Sequence, residues 1–588
     1  MNSEGSVAYF SMEIAVDPAM PTYAGGLGIL AGDTLRSCAD LSVPILGMTL
    51  LHRKGYLTQS FDSSGWQRES ETSWKVEAHL TELPERASVR IESRTVQLRA
   101  WKYEILGLSG ARVPVFFLDA DLPENAEWDR TLTHFLYGGD AYYRLCQEVI
   151  LGIGGVRMLR ALGYKNLPRF HMNEGHASLL TLELLAEEAS RAGRQSIVGA
   201  DIESVRARCI FTTHTPVQAA YDRFSMALVG QVFGRRRTFI DTCDVFSAEV
   251  VQHVVQANDG PPRLDDLFSA QNTLNLTFLA LNLSHYVNGV AKRHAEISRG
   301  LFGKHQVDAI TNGVHAATWT SPSFQKLFDQ QIPGWRADNF SLRYAHGIAP
   351  GELWTAHGLA KKELLAALRE RGYATLSPDV LTLGFARRST PYKRAHLLLT
   401  DEARLKAIAL QAGRLQIIYG GKAHPNDHEG KEIIQSILRR KDGLRPEVEI
   451  VYVENYDIEF ARLLVAGVDV WVNTPLPPLE ASGTSGMKAA LNGVPSLSIL
   501  DGWWVEGCIE GATGWAIGNP EPVDTPNGNR TVRDAASFYD KLEHVVAPLY
   551  YYDRDGFIDV MRHAIALNGS FFNTQRMVQQ YVLKAYFE

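Results

Sequence analysis

An α/β fold made of two parallel sheets, each covered by helices on both faces, is what the pattern of this chain predicts. Three observations carry that expectation. Apolar runs of strand length alternate with helical stretches through the first half. A polar, tryptophan-containing connector then runs to about Gly372, and a second alternation follows it. The 588 residues also exceed what one hydrophobic core organises, so two or more domains are expected.

The first half opens on a strand-length run, Val7–Phe10, followed by a glycine loop and a helix. Val113–Phe117 and Cys209–Thr212 read as buried strands, and Ser178–Ala192 as a helix between them. Strand and helix in alternation predict a parallel sheet covered on both faces. The second series comprises Val380–Phe385, Leu415–Tyr419, Val448–Tyr452, Val468–Val472 and Pro495–Ile499. Their spacing of roughly 20–35 residues suits βα units. The expected divisions are residues 1–311, residues 312–565, and a tail of residues 566–588. That tail carries an amphipathic helix, Thr574–Phe587, able to dock on either lobe.

Composition excludes several classes. With 45% hydrophobic and 21% charged residues the chain is neither disordered nor fibrous. A net charge of -7 gives no reason to expect nucleic acid or an anionic membrane as partner. Any basic cluster must therefore answer to a local anion. Cys38, Cys146, Cys209, Cys243 and Cys508 form no C-x-x-C pair, so reduced thiols are expected. The start, MNSEGSVAYFSMEIAV, lacks the basic region and apolar core of a signal peptide. No run reaches the eighteen or so apolar residues of a membrane span. A cytoplasmic location is the expectation.

Five segments carry chemistry. In Tyr23–Asp33 (YAGGLGILAGD), glycines before a helix let backbone N–H groups approach an anion at the helix's positive end. Gly26-x-Gly28-x-x-Ala31 also meets a loose dinucleotide pattern, and a ligand-free tight turn fits equally. In His171–His176 (HMNEGH) the histidines are five apart and match no metal motif, so no metal is expected. Asn173, Glu174 and His176 read instead as a polar rim that hydrogen-bonds hydroxyls, or as a structural loop network. His214 follows the Cys209–Thr212 strand, where parallel sheets bind ligands, and a satisfied structural histidine fits equally. Ala386–Arg394 (ARRSTPYKR) concentrates cations directly after a strand, which asks for a concentrated anion such as phosphate. In Pro478–Asn492, small residues lead into a helix bearing Lys488 among apolar neighbours. Burial makes a lysine amine neutral, and a neutral amine condenses with an aldehyde.

Taken together these segments resemble the glycogen/α-glucan phosphorylase family, from about residue 7 to 510. EASGTSGMKAALNG is similar to the family's cofactor-lysine motif. TYAGGLGILAGD, HMNEGH, THTPVQAAYDRF, NGVHAATW, FARRSTPYKR, GGKAHPND and VENYD stand in the family's order. GTSGMK and DGWW (Asp501–Trp504) place the likeness nearest the bacterial branch.

The resemblance implies a GT-B architecture: two Rossmann-like, doubly wound lobes with the active site in the cleft between them. It implies pyridoxal 5'-phosphate carried on Lys488, with Tyr392 lining its pocket. Gly483, Thr484 and Arg387 would neutralise the cofactor's phosphate. Arg388, Lys393 and the amides of Gly25 and Gly26 would bind the substrate phosphate beside it. Glu480, Asn312, His214 and His176 would touch the terminal glucosyl unit. The implied reaction is reversible phosphorolysis of α-1,4-glucan or maltodextrin to α-D-glucose 1-phosphate with retention, the cofactor phosphate acting as acid and base. Inorganic phosphate, glucan and glucose 1-phosphate would be its partners, and homodimers are common in the family. The alternative is a related retaining transferase using a nucleotide-sugar donor. Two departures stand out. Asp457 occupies a position that is arginine in animal and plant members, and the position of Arg387 is commonly lysine there. The chain also starts almost at the first strand, so allosteric nucleotide or phosphoserine control is not expected.

Overall fold

Strands buried on both faces are mostly apolar, and most parallel strands of the two main sheets of this protein are made that way. The computed structural model describes residues 6–194, 196–217, 221–233, 268–269, 273–303, 305–373, 376–518 and 527–587. The first sheet has nine strands. Their order is Asp308–Ala309, Tyr286–Gly289, Cys209–Thr212, Arg169–Asn173, Val7–Ser11, Ile45–Leu50, Arg112–Asp119, Arg94–Leu106 and Thr81–Ile91. All neighbours are parallel as far as Arg112–Asp119, and the last two strands extend the sheet antiparallel. The second sheet has six parallel strands, in the order Val448–Val453, Leu415–Gly420, Leu381–Ala386, Val470–Asn473, Ser496–Ile499 and Gly514–Ile517.

In both sheets the chain starts in the middle, winds out to one side, and returns to build the other. The strand order reverses between Val7–Ser11 and Arg169–Asn173, and again between Leu381–Ala386 and Val470–Asn473. At such a reversal the loops leaving the carboxyl ends part, and a crevice opens.

The stretch read as a polar connector is not one. It forms helices Pro322–Gln331 and Pro350–Glu370, each with proline in its first turn. Phe324, Leu327 and Phe328 recur at helical spacing among polar residues and enter the second sheet's core with Trp319 and Trp335. Polar composition concealed an amphipathic period.

The tail docks on the first sheet. Helix Thr574–Tyr581 continues through Val582–Tyr586, and Met577, Val578, Tyr581 and Tyr586 share a core with Val7, Tyr9 and Leu35. Tyr581 and Tyr586 reach the sheet's own polar groups, Thr212 Oγ1 at 3.0 Å and His171 Nδ1 at 2.8 Å. Where chain passes between the sheets, residues 311–315 lie against 572–574. Val314 N–H donates to Phe572 O and Thr574 N–H to Val314 O, at 3.2 and 3.0 Å. A Cβ on Gly313 would stand 2.2 Å from the Asn573 backbone, so only glycine allows this approach.

A second attachment is the hairpin Thr58–Phe61/Gln67–Ser70. Gln59 N–H donates to Asn455 Oδ1 (3.2 Å) while Asn455 N–H donates to Gln59 Oε1 (3.0 Å). Gln67 pairs in the same reciprocal way with Ala423, giving to its carbonyl (3.0 Å) and taking from its N–H (2.9 Å).

Among the described residues no helix is long and apolar enough to cross a membrane. Cys38, Cys146 and Cys209 are buried free thiols and Cys508 is half-buried; Cys243 lies outside the described residues, as do residues 218–220 of the THTPVQAAYDRF segment.

One buried ion network ties the Pro350–Glu370 helix to the second sheet. Asp469 accepts from His357 Nε2 (2.8 Å), Lys361 Nζ (2.6 Å) and Thr382 N–H (2.7 Å). Burial alone would raise this carboxyl, but Lys361 and His357 hold it below the usual carboxylate range. Removing the cation strands the charge. Lys361→Met should therefore destabilise the protein by about 3 kcal/mol, read as a lower urea midpoint, whereas an unshifted midpoint would show the network to be dispensable.

Candidate active site

The two strand-order reversals face a single cavity of about 890 Å³. Loops from the carboxyl ends of both sheets line it.

On the first sheet's side, helix Gly26–Asp40 begins at the cavity wall with Gly25 as its cap. Glu13 Oε2 accepts from Ala24 N–H (2.6 Å) and Gly25 N–H (3.3 Å), and Glu13 Oε1 from Tyr137 OH (2.9 Å). The Gly25 amide, expected to hold a phosphate, is thus already given to a carboxylate. Gly26 carries no such bond. A Cβ at Gly25 or Gly26 would meet nothing within 4 Å, so these glycines leave room in the cavity. Gly28 serves packing instead, since a Cβ there would lie 2.7 Å from Glu13 Oε2.

The HMNEGH segment, read as a loop, is half strand: His171, Met172 and Asn173 belong to Arg169–Asn173. Glu174 then turns at a φ of 76°, in the left-handed region. Its carboxylate holds this turn by accepting from Gly175 N–H (3.0 Å), His214 N–H (2.7 Å) and Thr215 Oγ1 (3.0 Å). His214 Nε2 donates to Asn173 Oδ1 at 2.6 Å. Burial, with His294, His171 and His176 nearby, pushes the His214 imidazole down to about 3. It is therefore neutral, and with Nε2 donating, its Nδ1 is an acceptor. His176 Nε2 stands 3.1 Å from Asp222 Oδ2, and its Nδ1 is buried without a partner. Burial would raise Asp222, but Arg144 (3.2 Å) and His176 hold it down to about 2.

On the second sheet's side, Glu480 Oε2 lies 2.6 Å from Arg387 Nη2 and 3.5 Å from Lys393 Nζ. Arg387 Nη1 is buried and unpartnered. Burial and the Arg387 charge push Lys393 down to about 7, against the pull of Glu480. Arg388 makes no hydrogen bond or ion pair among the described residues and exposes its side chain to the cavity. Lys488, only 6% exposed, sits in helix Ser485–Ala490 with its Nζ 3.9 Å from the Trp319 ring centroid. Gly483, at a φ of 73°, makes the turn into that helix, and Thr484 is its cap. Asn312 lines the cavity between the two sides, its Oδ1 buried without a donor.

All but two of the expected residues line this cavity. Asn173 instead stands behind His214, bonded to it and to Ser11 Oγ (3.1 Å). Tyr392 lies under Lys393, whose Nζ is 5.1 Å from its ring centroid, and is not part of the wall. Sequence reasoning missed Glu13, Arg144, Asp222 and Lys422, which do line it. Lys422 is half-buried, donates to Leu57 O (3.0 Å), and is pushed down to about 8 by burial. Asp457 also reaches the wall, where it caps helix Ile458–Gly467 by accepting from Phe460 N–H (2.8 Å).

The arrangement has two chemical faces. Among the described residues Arg387 and Lys393 pair with one carboxylate, Glu480, and Arg388 with none, so the three form an anion site. Asn312 Oδ1 is an acceptor and His176 Nδ1 a ring nitrogen, both buried without partners, and with His214 Nδ1 they suit a polyhydroxylated ligand.

Comparison with known proteins agrees with this geometry. Residues 160–513 match the family model described as carbohydrate phosphorylase. The chain is 37% identical to the maltodextrin phosphorylase of Thermococcus litoralis, over 99% of this chain and 70% of that protein. It is 36% identical to the glycogen phosphorylase of Mycobacterium tuberculosis, over 98% and 70%. With the glycogen phosphorylase of Aquifex aeolicus it shares 35% identity, over 99% and 86%.

An anion settling beside Lys393 should draw a proton onto it, because the amine is partly neutral above about 7. At pH 8, phosphate binding should therefore take up protons, seen by calorimetry as a heat that depends on the buffer's ionisation enthalpy. Lys393→Arg, always charged, should lose that dependence; a dependence unchanged in the variant would assign the proton elsewhere.

Proposed function

The chain belongs to the carbohydrate phosphorylase family, and on that premise we propose that it is a retaining α-glucan phosphorylase. It would cleave α-1,4-glucan or maltodextrin reversibly with inorganic phosphate to give α-D-glucose 1-phosphate. The observation that carries this reading is the gathering of Arg387, Arg388, Lys393 and buried Lys488 on one cavity of an acidic protein. The sheets would be the two lobes of a GT-B architecture, residues 1–311 and 312–565, with residues 566–588 crossing back.

The residues present fit pyridoxal 5'-phosphate. An aldehyde needs an amine able to lose its proton, and burial brings Lys488 down to about 8. A phosphate needs uncommitted donors, and Arg387 Nη1 is one beside Gly483 and Thr484. Bound there, the cofactor would supply a phosphate able to give and take a proton beside the substrate phosphate.

The chain's own residues would do the rest. Arg388, Lys393 and the Gly26 amide hold inorganic phosphate. Two phosphates side by side repel strongly, and the cations offset that repulsion in a water-poor cavity. His214 Nδ1 and Asn312 Oδ1 accept hydroxyls of the terminal glucosyl unit, His176 Nδ1 bonds another, and together they hold its anomeric carbon near the phosphate. Glu480 stays charged, since Arg387 and Lys393 hold it below the ordinary range against its burial, and accepts another hydroxyl. As the glycosidic oxygen takes a proton, its bond to the anomeric carbon breaks. Phosphate then bonds to that carbon from the face the chain has left, so configuration is retained. The matched relatives are named as phosphorylases, which does not favour the nucleotide-sugar alternative.

Lys488→Ala should abolish bound pyridoxal phosphate and phosphorolysis while leaving the circular dichroism and melting curve nearly intact; an active variant would sink the assignment. Arg388→Ala should raise KM for phosphate on the order of 100-fold and leave KM for maltodextrin within a few-fold. Equal rises in both would remove Arg388 from the phosphate site.

A further inference from the structure

Lys488 is gripped through Trp319, and the grip leads back to the first sheet. Asn492, one turn beyond the lysine, donates from Nδ2 to Trp319 O (2.8 Å) and to Lys488 O (3.0 Å). Its Oδ1 accepts from Ser321 N–H at 2.7 Å. The Trp319 backbone is thereby fixed to the lysine's own helix. At the other end of the same residue, the indole N–H donates to Asp33 Oδ2 at 2.7 Å. Asp33 Oδ2 also takes the His315 N–H at 3.2 Å.

Asp33 is buried and belongs to helix Gly26–Asp40, which packs on the first sheet. Its Oδ1 has no hydrogen bond. The nearest cation, Arg36, lies 3.5 Å away and is already bonded to the carbonyls of Ala15 and Val16. Asp33 and Trp319 line a second cavity of about 310 Å³, while Lys488 lines the main one. An aromatic face attracts an ammonium, and an ionised acceptor on the indole N–H holds that face in place.

We propose that Asp33 is a positioning residue for Lys488, holding the Trp319 ring against the amine from across the cleft and supplying its counter-charge. This inference rests on the reading of Lys488 as the cofactor lysine. Glu480, Arg387 and Lys393 share the main cavity with Lys488, and Arg36, His315 and Arg462 line the smaller one. Burial pushes the amine down, and of these charged neighbours only Asp33 acts to raise it. Cofactor loading would then require the first sheet's helix in place against the second. In that step the lysine nitrogen bonds to the aldehyde carbon and the carbonyl oxygen leaves as water.

The test is trapping on the full chain. Protein is incubated with pyridoxal phosphate across a pH series, reduced with borohydride and digested, and the modified fraction of the Lys488 peptide is measured. The wild-type midpoint should lie near 8. Asp33→Asn keeps an acceptor for the indole but removes the charge, so its midpoint should fall by about one pH unit. Trp319→Phe loses the N–H anchor, and its trapping rate should drop about tenfold at every pH. Midpoint and rate unchanged in both variants would overturn the positioning role with the cofactor reading intact. No trapping at Lys488 in the wild-type chain would overturn both.

Discussion

Arg387 and Lys393 share a single carboxylate, Glu480, in the wall of the cavity, and among the described residues Arg388 pairs with none, Glu13 acting on it only from a distance. Cations kept out of water with too few counter-ions are unfavourable, and the deficit is relieved either by losing a proton or by taking up an anion. Lys393 shows the first route in its lowered proton affinity. Arg387, with its side chain buried, cannot follow it, because guanidinium stays charged, so for it the relief must come from outside, whereas Arg388 keeps its side chain exposed. The fold spends stability to hold an anion-shaped deficit in one place.

The topology makes that concentration possible. Each sheet reverses its strand order once, and each reversal parts a pair of loops. One crevice brings the imidazoles of His214 and His176, the other brings the cations Arg387, Arg388, Lys393 and Lys488, and Asn312 stands between them. Neither half is a site alone. The join is made by two passages of chain lying side by side, residues 311–315 and 572–574. Arg576, just beyond the second passage, donates to Thr311 O (2.6 Å) and Asn312 O (2.9 Å), so the residue that lines the cavity at the join is set by the returning tail.

The strands most evident in the sequence were those buried on both faces, such as Cys209–Thr212 and Leu415–Gly420, whose runs are mostly apolar. The antiparallel pair Thr81–Ile91/Arg94–Leu106 went unseen, because its strands are half-exposed and rich in arginine and glutamate. The basic run after Leu381–Ala386 and the lysine after GTSGM were legible as chemistry, since cations rarely cluster directly after a buried strand without a partner. Glu13 was not. It sits in an otherwise apolar run, and its role appears only when the chain folds Ala24 and Gly25 back onto it. Long-range partners of this kind leave no local period. The same holds for Asn173, whose residue type suggested contact with a ligand but whose place in a strand puts it behind His214.

The hairpin at residues 58–70 joins the halves by amides and by one ion pair, Glu69 with Lys431 Nζ at 2.8 Å. Gln59 pairs with Asn455 and Gln67 with Ala423, and Gln59 Nε2 also reaches Gly421 O at 3.0 Å. None of these amides titrates, so their part of the fastening holds alike in dilute buffer and in strong salt, in acid and near neutrality, and only the Glu69–Lys431 pair answers to acid. The crossing at residues 311–315, the Asp33–Trp319 bond and the bond from Ile458 N–H to Tyr23 OH (3.1 Å) fasten the halves elsewhere. Fastenings spread in this way oppose a wide parting of the halves, so on the proposed reading a sugar chain would meet an opening whose width is set largely by the fold.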